Sequence, residues 1–381
     1  MFLCLAGCTA KKTGDISKSE SLTLPVAGVS QKPTADEISA KSAVVIELES
    51  GVCLWEKNPD AKMPMASTTK IMTALVALSY CDVDTIIKVS PLAVGVEGSS
   101  VYLYAGEELT LEQLLYAMLL ESANDAAAAI AIAVGGSIEG FADMMNKMAQ
   151  ALGLTDTHFE NPHGLDGDSH YTTARELALI TRAAMQNACF RKIVSTYKTT
   201  IPLNSTEGVR LLINHNKLLK SYEGAIGVKT GFTKKSGRCL VSAAECDGVE
   251  YICVTLNAPS DWSDHTKLLD FASSLYERCQ LCEVSEYKYS LPLSDASEQY
   301  ATFSNSEQLS VILPRNRGKI TYTVEMPRFA LGGVTQGQEL GRIVFTLDGE
   351  IIAECPMRAE YTVMQKTKKF GFWRRIEALF A

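Results

Sequence analysis

The sequence predicts an α+β architecture followed by a small all-β module. Three observations carry that expectation. Strand-like segments bracket a long helical region and return after it. A helix then closes this first part. From about Leu281 the texture changes to short strands alone.

Taken in order, Val44-Val45-Ile46-Glu47-Leu48 and Val52-Cys53-Leu54-Trp55 flank Glu49-Ser50-Gly51, a hairpin signal. Residues 67–185 read as a long helical region, with an apolar run at 111–120 and an alanine-rich run at 126–134. Strands are expected at 225–230, 239–244 and 251–256. Residues 262–279 read as the closing helix, with Leu268, Leu269, Ala272, Leu275 and Tyr276 on one stripe. In the second module, short strands are expected at 309–313, 320–324, 342–347 and 350–353. Asp348-Gly349 is a two-residue hairpin turn between the last two. This module carries no constellation for chemistry and reads as a spacer or partner surface.

Bulk numbers exclude several classes. The 381 residues are 46% hydrophobic and 21% charged, a globular balance with length for about two domains plus tails. Net charge is −8, so nothing suggests a nucleic-acid binder, which shows a basic face. No internal stretch reaches the roughly 18 apolar residues of a membrane-spanning helix. Only five histidines are present and no His/Glu ligand cluster is visible, so no metal or organic cofactor is expected. The eleven cysteines read as mostly structural and reduced. Cys53, Cys239 and Cys253 sit in apolar strand-like runs, where a thiol acts as a small hydrophobe.

Chemistry enters with three short motifs in order: Ser67-Thr68-Thr69-Lys70, Ser122-Ala123-Asn124 and Lys229-Thr230-Gly231. They supply a nucleophile with a base one helical turn away, a second hydroxyl with an amide, and a cation on a strand. That is an inventory for acyl transfer through a serine ester. Context separates them from chance matches. Ser195-Thr196-Tyr197-Lys198 and Ser285-Glu286-Tyr287-Lys288 have the same S-x-x-K spacing, and Lys12-Thr13-Gly14 repeats the third motif. Only Ser67 precedes a buried helical run, which places it at a helix N-terminus with Lys70 on the same face.

The longer stretches around these motifs are more specific. They are Ala66-Ser67-Thr68-Thr69-Lys70-Ile71-Met72-Thr73, Glu121-Ser122-Ala123-Asn124-Asp125-Ala126-Ala127, His163-Gly164-Leu165-Asp166 and Gly227-Val228-Lys229-Thr230-Gly231-Phe232-Thr233. On these residues the chain resembles the low-molecular-mass penicillin-binding proteins that act as serine-type D-Ala-D-Ala carboxypeptidases, peptidase family S11. The resemblance runs from about Ser42 to the C-terminus.

The resemblance implies a penicilloyl-serine transferase fold, with an antiparallel sheet and a helical cluster. It implies removal of the terminal D-alanine from peptidoglycan pentapeptides through a Ser67 ester, and covalent capture of β-lactam antibiotics. Lys70 would be the base, its pKa lowered by burial and by Lys229. Ser122 would relay a proton to the leaving nitrogen, and Asn124 would orient Lys70 and bond the substrate. The terminal carboxylate would meet Lys229, Thr230 and Thr233. Some relatives place an arginine where this chain has Asp261, so no arginine is expected there. Gly231 would let the substrate approach the strand, and the backbone N–H groups of Ser67 and Phe232 would form the oxyanion hole. His163 and Asp166 are secondary candidates, with a structural role expected first for His163.

The rivals are a β-lactamase-type hydrolase, a transpeptidase and a non-catalytic penicillin-binding scaffold. A class A lactamase would need a Glu-x-x-Leu-Asn loop, which Glu160-Asn161-Pro162-His163-Gly164 does not match.

The flanks complete the expected organisation. Leu5-Ala6-Gly7-Cys8 resembles a bacterial lipobox, and export is expected, with lipidation of Cys8 left open. Residues 9–40 read as a flexible linker, 41–280 as the catalytic domain and 281–364 as a β-sandwich-like domain. Residues 365–381 read as an amphipathic membrane anchor. Phe372, Trp373, Ile376, Leu379 and Phe380 fall within an arc of roughly 120° on a helix, bordered by Lys and Arg. The expected location is the outer face of the cytoplasmic membrane.

Overall fold

The computed structural model describes residues 20–22, 30–203 and 208–366. The expected lipobox lies outside the described residues, as do residues 367–381 of the expected anchor. The chain forms two compact units: one of residues 29–277, the other of residues 1–28 with 278–381.

The elements follow in chain order. β1 (Glu20–Leu22) belongs to the second unit. In the first unit, β2 (Ser42–Glu47) and β3 (Cys53–Lys57) form the expected hairpin, with Gly51 at a φ of +75° in its turn. The helical region follows: α1 (Lys70–Tyr80), β4 (Ile86–Lys88), β5 (Glu108–Thr110), α2 (Leu111–Leu120), α3 (Asn124–Gly135), α4 (Ile138–Ala151), α5 (Ala174–Met185) and α6 (Ala188–Ser195). Then come the hairpin β6 (Lys198–Pro202) and β7 (Val209–Ile213), the single turn α7 (Leu218–Ser221), β8 (Ala225–Thr233), β9 (Gly237–Cys246), β10 (Val249–Leu256) and α8 (Asp261–Ser273).

The sheet of the first unit runs β3-β2-β10-β9-β8, antiparallel throughout. Its central strands are sandwiched between helices. α8 packs against β9 and β10, and α5 against β2 and β10. That is why all six residues of β2 are buried and its sequence shows no polar alternation. His265 of α8 is buried and reaches Ser242 Oγ at 2.5 Å and Thr255 Oγ1 at 2.9 Å, which ties the helix to both strands.

Local signals set the helix ends that matter for the site. Thr110 and Gln113 form a reciprocal capping box that starts α2. α3 buries Ala126, Ala127, Ala128, Ala129 and Ala131, small side chains that let neighbouring helices approach closely, and it ends on Gly136 at a φ of +77°.

The second unit continues with β11 (Tyr276–Cys282), β12 (Lys288–Ser294), β13 (Tyr300–Asn305), β14 (Leu309–Pro314), β15 (Ile320–Glu325), β16 (Ala330–Leu331), β17 (Glu339–Leu347) and β18 (Glu350–Ala359). Seven strands form one sheet, β1-β15-β17-β18-β13-β12-β16, and β11 pairs with β14. The Asp348-Gly349 turn has φ of +51° and +93°, as a type I′ turn requires.

Four expectations are corrected. The closing helix ends at Ser273, not Cys279. Residues 276–282 bury Cys279, Leu281 and Cys282 within a strand, so the helical stripe is real only as far as Ala272. The helical region is interrupted by β4, β5 and two long loops. Residues assigned to the flexible linker are ordered in part. β1 pairs with β15, and Asp264 accepts hydrogen bonds from the backbone N–H groups of Ser39 and Ala40. The hairpin β6–β7 and the strands β12, β13 and β16 were not anticipated. β16 has only two residues, and β6 contains polar residues and a proline that mask alternation.

Candidate active site

Ser67 sits in a single 3₁₀ turn, residues Ala66–Thr69, that feeds directly into α1. The expected S-x-x-K geometry follows from this turn. Lys70 Nζ lies 2.9 Å from Ser67 Oγ. Ala66 just before the nucleophile has a φ of +49°, and Ser122, between α2 and α3, has a φ of +62°. Two L-residues in the left-handed region therefore flank or carry the candidate hydroxyls. Each costs about 1 kcal/mol or more and persists only where surroundings over-determine it.

Lys70 is wholly buried. Its Nζ reaches Asn124 Oδ1 at 2.7 Å and the His163 carbonyl oxygen at 2.6 Å. Both partners only accept, so both consume N–H groups. A neutral amine has two such hydrogens and one lone pair, and the third direction faces Ser67 Oγ. The serine hydroxyl then donates to the amine. Burial holds the Lys70 pKa well below its ordinary value, with the Lys229 charge adding to the effect and Asp125 opposing it.

Asn124 opens α3, donates from Nδ2 to Glu97 O at 2.5 Å and from its backbone N–H to Ser99 O at 2.7 Å. Asp125 gathers the same loop, accepting from Ser100 Oγ at 2.6 Å and Leu103 N at 3.0 Å. Lys229 on β8 is buried and donates to Thr230 O at 2.9 Å. Burial pushes its pKa down to about 7, opposed by the Glu121 carboxylate.

A cleft of about 380 Å³ is lined by Ser67, Ser122, Thr230, Gly231 and Phe232, so it gathers the first, second and third motifs. A larger recess of about 760 Å³ beside Lys57 and Asp60 holds none of them.

Three of the expected site residues also make contacts within the protein. Gly231 serves the protein as well as any substrate: a Cβ there would lie 3.0 Å from Ser67 N and 3.1 Å from Ala66 Cβ, so glycine lets β8 close against the nucleophile turn. Thr233 Oγ1 donates to Asp166 Oδ1 at 2.9 Å and lies 3.0 Å from Ser236 Oγ, so Asp166 ties the His163 loop to β8. His163 acts through its carbonyl. Its Nδ1 accepts from Leu165 N at 3.3 Å, and burial, with the nearby Lys70, lowers the ring pKa to about 3.

Sequence reasoning missed Arg238. It begins the return strand β9, directly across from Phe232, and lines the cleft. Asp261, buried at the start of α8, holds the guanidinium at 2.9 Å, and the Trp262 ring lies 5.9 Å beneath it. The signal was present in the sequence. A hairpin turn after Thr233 returns the chain and sets Arg238, near the head of β9, across from Phe232. His215 and Lys217 also reach the cleft, with His215 Nε2 3.3 Å from Glu121 Oε2.

Comparison with known proteins agrees with this geometry. A family profile described as D-alanyl-D-alanine carboxypeptidase matches residues 29–260. The chain is 33% identical to D-alanyl-D-alanine carboxypeptidase DacF of Bacillus subtilis over 343 residues, 87% of each chain. It is 29% identical to DacC of Escherichia coli over 364 residues, 91% of this chain and 88% of that one. Among solved structures it is similar to the carboxypeptidase DacD of Francisella tularensis, with a TM-score of 0.61 and 27% identity, covering 91% of this chain and 97% of that one. The Streptomyces K15 DD-transpeptidase gives 0.61 and 34%, covering 65% of this chain and all of the other.

Proposed function

The chain belongs to the D-alanyl-D-alanine carboxypeptidase family of serine peptidases, and from that premise we propose how its residues divide the work. The enzyme removes the terminal D-alanine of peptidoglycan pentapeptides. Ser67 Oγ attacks the carbonyl carbon of the penultimate D-alanine while Lys70 Nζ takes the hydroxyl proton. The backbone N–H groups of Ser67 and Phe232 receive the oxyanion. Ser122 relays the proton from Lys70 to the departing nitrogen, the C–N bond breaks, and D-alanine leaves. Water then cleaves the Ser67 ester, with Lys70 taking the water proton and returning it to Ser67 Oγ. β-Lactams enter the same path, and the acyl group stays on Ser67.

The observation that carries this reading is the set of three contacts at Lys70 Nζ. With the amine neutral, two acceptors use its hydrogens and its lone pair faces Ser67 Oγ. For the terminal carboxylate we assign Lys229, Thr230 and Arg238. A guanidinium pre-oriented by Asp261 offers a charge-assisted hydrogen bond that Thr233 cannot.

The location is the outer face of the cytoplasmic membrane. Residues 366–381 support it, since five basic residues border an aromatic apolar face in a chain of net charge −8. Deleting residues 366–381 should release a Cys8→Ser protein from membranes, and persistent binding would refute the anchor.

The functional test is release of free D-alanine from diacetyl-Lys-D-Ala-D-Ala by the protein and its Ser67→Ala variant. Release that vanishes in the variant establishes the reaction and the nucleophile. Release by neither protein, with product formed only when an acceptor amine is added, would assign the chain to transpeptidation instead.

A further inference from the structure

His170 belongs to none of the motifs. It lies at the far end of the loop that carries His163 and Asp166, 4% exposed, with its ring edge-on to Phe159. Both ring nitrogens have partners. Glu160 N donates to Nδ1 at 3.0 Å, and Nε2 lies 2.8 Å from Thr69 Oγ1. A backbone N–H only donates, so Nδ1 is the acceptor and the ring proton sits on Nε2. The ring therefore donates to Thr69 Oγ1. That hydroxyl has one proton of its own, and the Ala66 carbonyl oxygen, 2.8 Å away, can only accept. The direction of the whole chain is thus determined: Glu160 N–H to His170, His170 to Thr69, Thr69 to the Ala66 carbonyl.

The Ala66 carbonyl shares a peptide unit with the Ser67 N–H. A trans peptide is planar, so holding its oxygen aims its N–H. This unit follows a residue at a φ of +49°, a conformation that needs outside support. Gly164 packs against the same carbonyl and hydroxyl, where a Cβ would lie 1.9 Å from the Ala66 oxygen and 2.9 Å from Thr69 Oγ1.

We propose that His170 is a positioning residue for acyl transfer: through Thr69 it holds the Ala66–Ser67 peptide plane so that the Ser67 N–H points at the developing oxyanion. The inference rests on the Ser67 and oxyanion-hole reading above. His170 touches neither substrate nor reacting atoms. Its effect should fall on the transition state, where the N–H counts most, and hardly on ground-state binding.

The test compares a depsipeptide ester with its thiono analogue, in which sulfur replaces the carbonyl oxygen. Sulfur is larger and a weaker acceptor, so a working oxyanion hole makes the ester much the faster of the two. The proteins are the wild type, His170→Leu, His170→Gln and Thr69→Val. Removing a hole donor outright costs about 10²–10³ in kcat, and misaiming one should cost on the order of 10-fold. The expected result is that kcat falls in His170→Leu and Thr69→Val with KM nearly unchanged, that the ester-to-thiono ratio drops in both, and that His170→Gln restores both quantities through its amide N–H. Thr69→Val carries the test if His170→Leu does not fold, because it leaves the loop and its ring intact. A wild-type ester-to-thiono ratio kept by Thr69→Val or by a folded His170→Leu, whatever the loss of rate, would overturn the proposal. A ratio near one in the wild type would instead defeat the oxyanion-hole reading on which it rests.

Discussion

At the scale of single residues, the site turns on where each hydrogen goes. Lys70 has two acceptors and one hydroxyl around it, which leaves a buried amine able to receive a proton. Thr233 looks equivalent to Thr230 in the sequence, yet its hydroxyl already bonds Asp166 and Ser236. Arg238 supplies the replacement. A charged hydrogen bond contributes about 1.5–3 kcal/mol, so Arg238→Leu should lower kcat/KM for the peptide acid roughly 10- to 100-fold. Steady-state kinetics on the acid and its C-terminal amide check this. The variant should lose the preference for the acid, and a preference that survives would remove Arg238 from the carboxylate site.

Elements matter here through how closely they approach. The nucleophile turn is clamped between β8 and the 160–170 loop, and glycines stand at both contacts. Gly164 has a φ of +88° besides its contact with Ala66 O, so Gly164→Ala is strained in two ways. That substitution should move the His163 carbonyl off Lys70 and cut benzylpenicillin acylation by about 10²-fold or more, with a loss of about 2 kcal/mol in stability. Gly231→Ala presses β8 against the Ser67 amide, where the 3.0 Å contact is with backbone and cannot rotate away. Acylation should fall with little change in circular dichroism. Acylation at the wild-type rate in both variants would show that these close approaches do not set the catalytic geometry.

At the scale of the whole molecule, two buried lysines set activity against stability. Burial pushes the Lys229 pKa down to about 7 from an ordinary 10.5. The unfolded chain therefore binds more protons than the folded one between those values, and this group makes stability rise with pH across that window. Below about 7 both states hold the proton, and the full cost of burying the charge remains. Lys229→Met should accordingly raise the melting temperature by several degrees at pH 6, raise it less towards pH 10, and abolish useful turnover. Thermal melts at the two pH values decide the sign. Equal gains at both would mean that the ammonium is not desolvated as its burial implies.

What could be read from the sequence was the chemistry that travels with local spacing. Ser67 and Lys70 share a helical face because three residues make about one turn, and Asp348-Gly349 turns a hairpin because both positions accept positive φ. The ordered motifs and the α+β character followed from such short-range rules, and the family from the resemblance that the motif stretches carry. Tertiary structure alone decided which hydroxyls have protons to spare, where the Arg238 guanidinium rests, and that a histidine outside every motif reaches the nucleophile turn. These facts depend on contacts such as Thr69 with His170, 101 residues apart in the chain. The chain's periodicity carries no trace of a partner that distant, because a hydrogen bond is defined by a few ångströms of space and not by any interval in sequence.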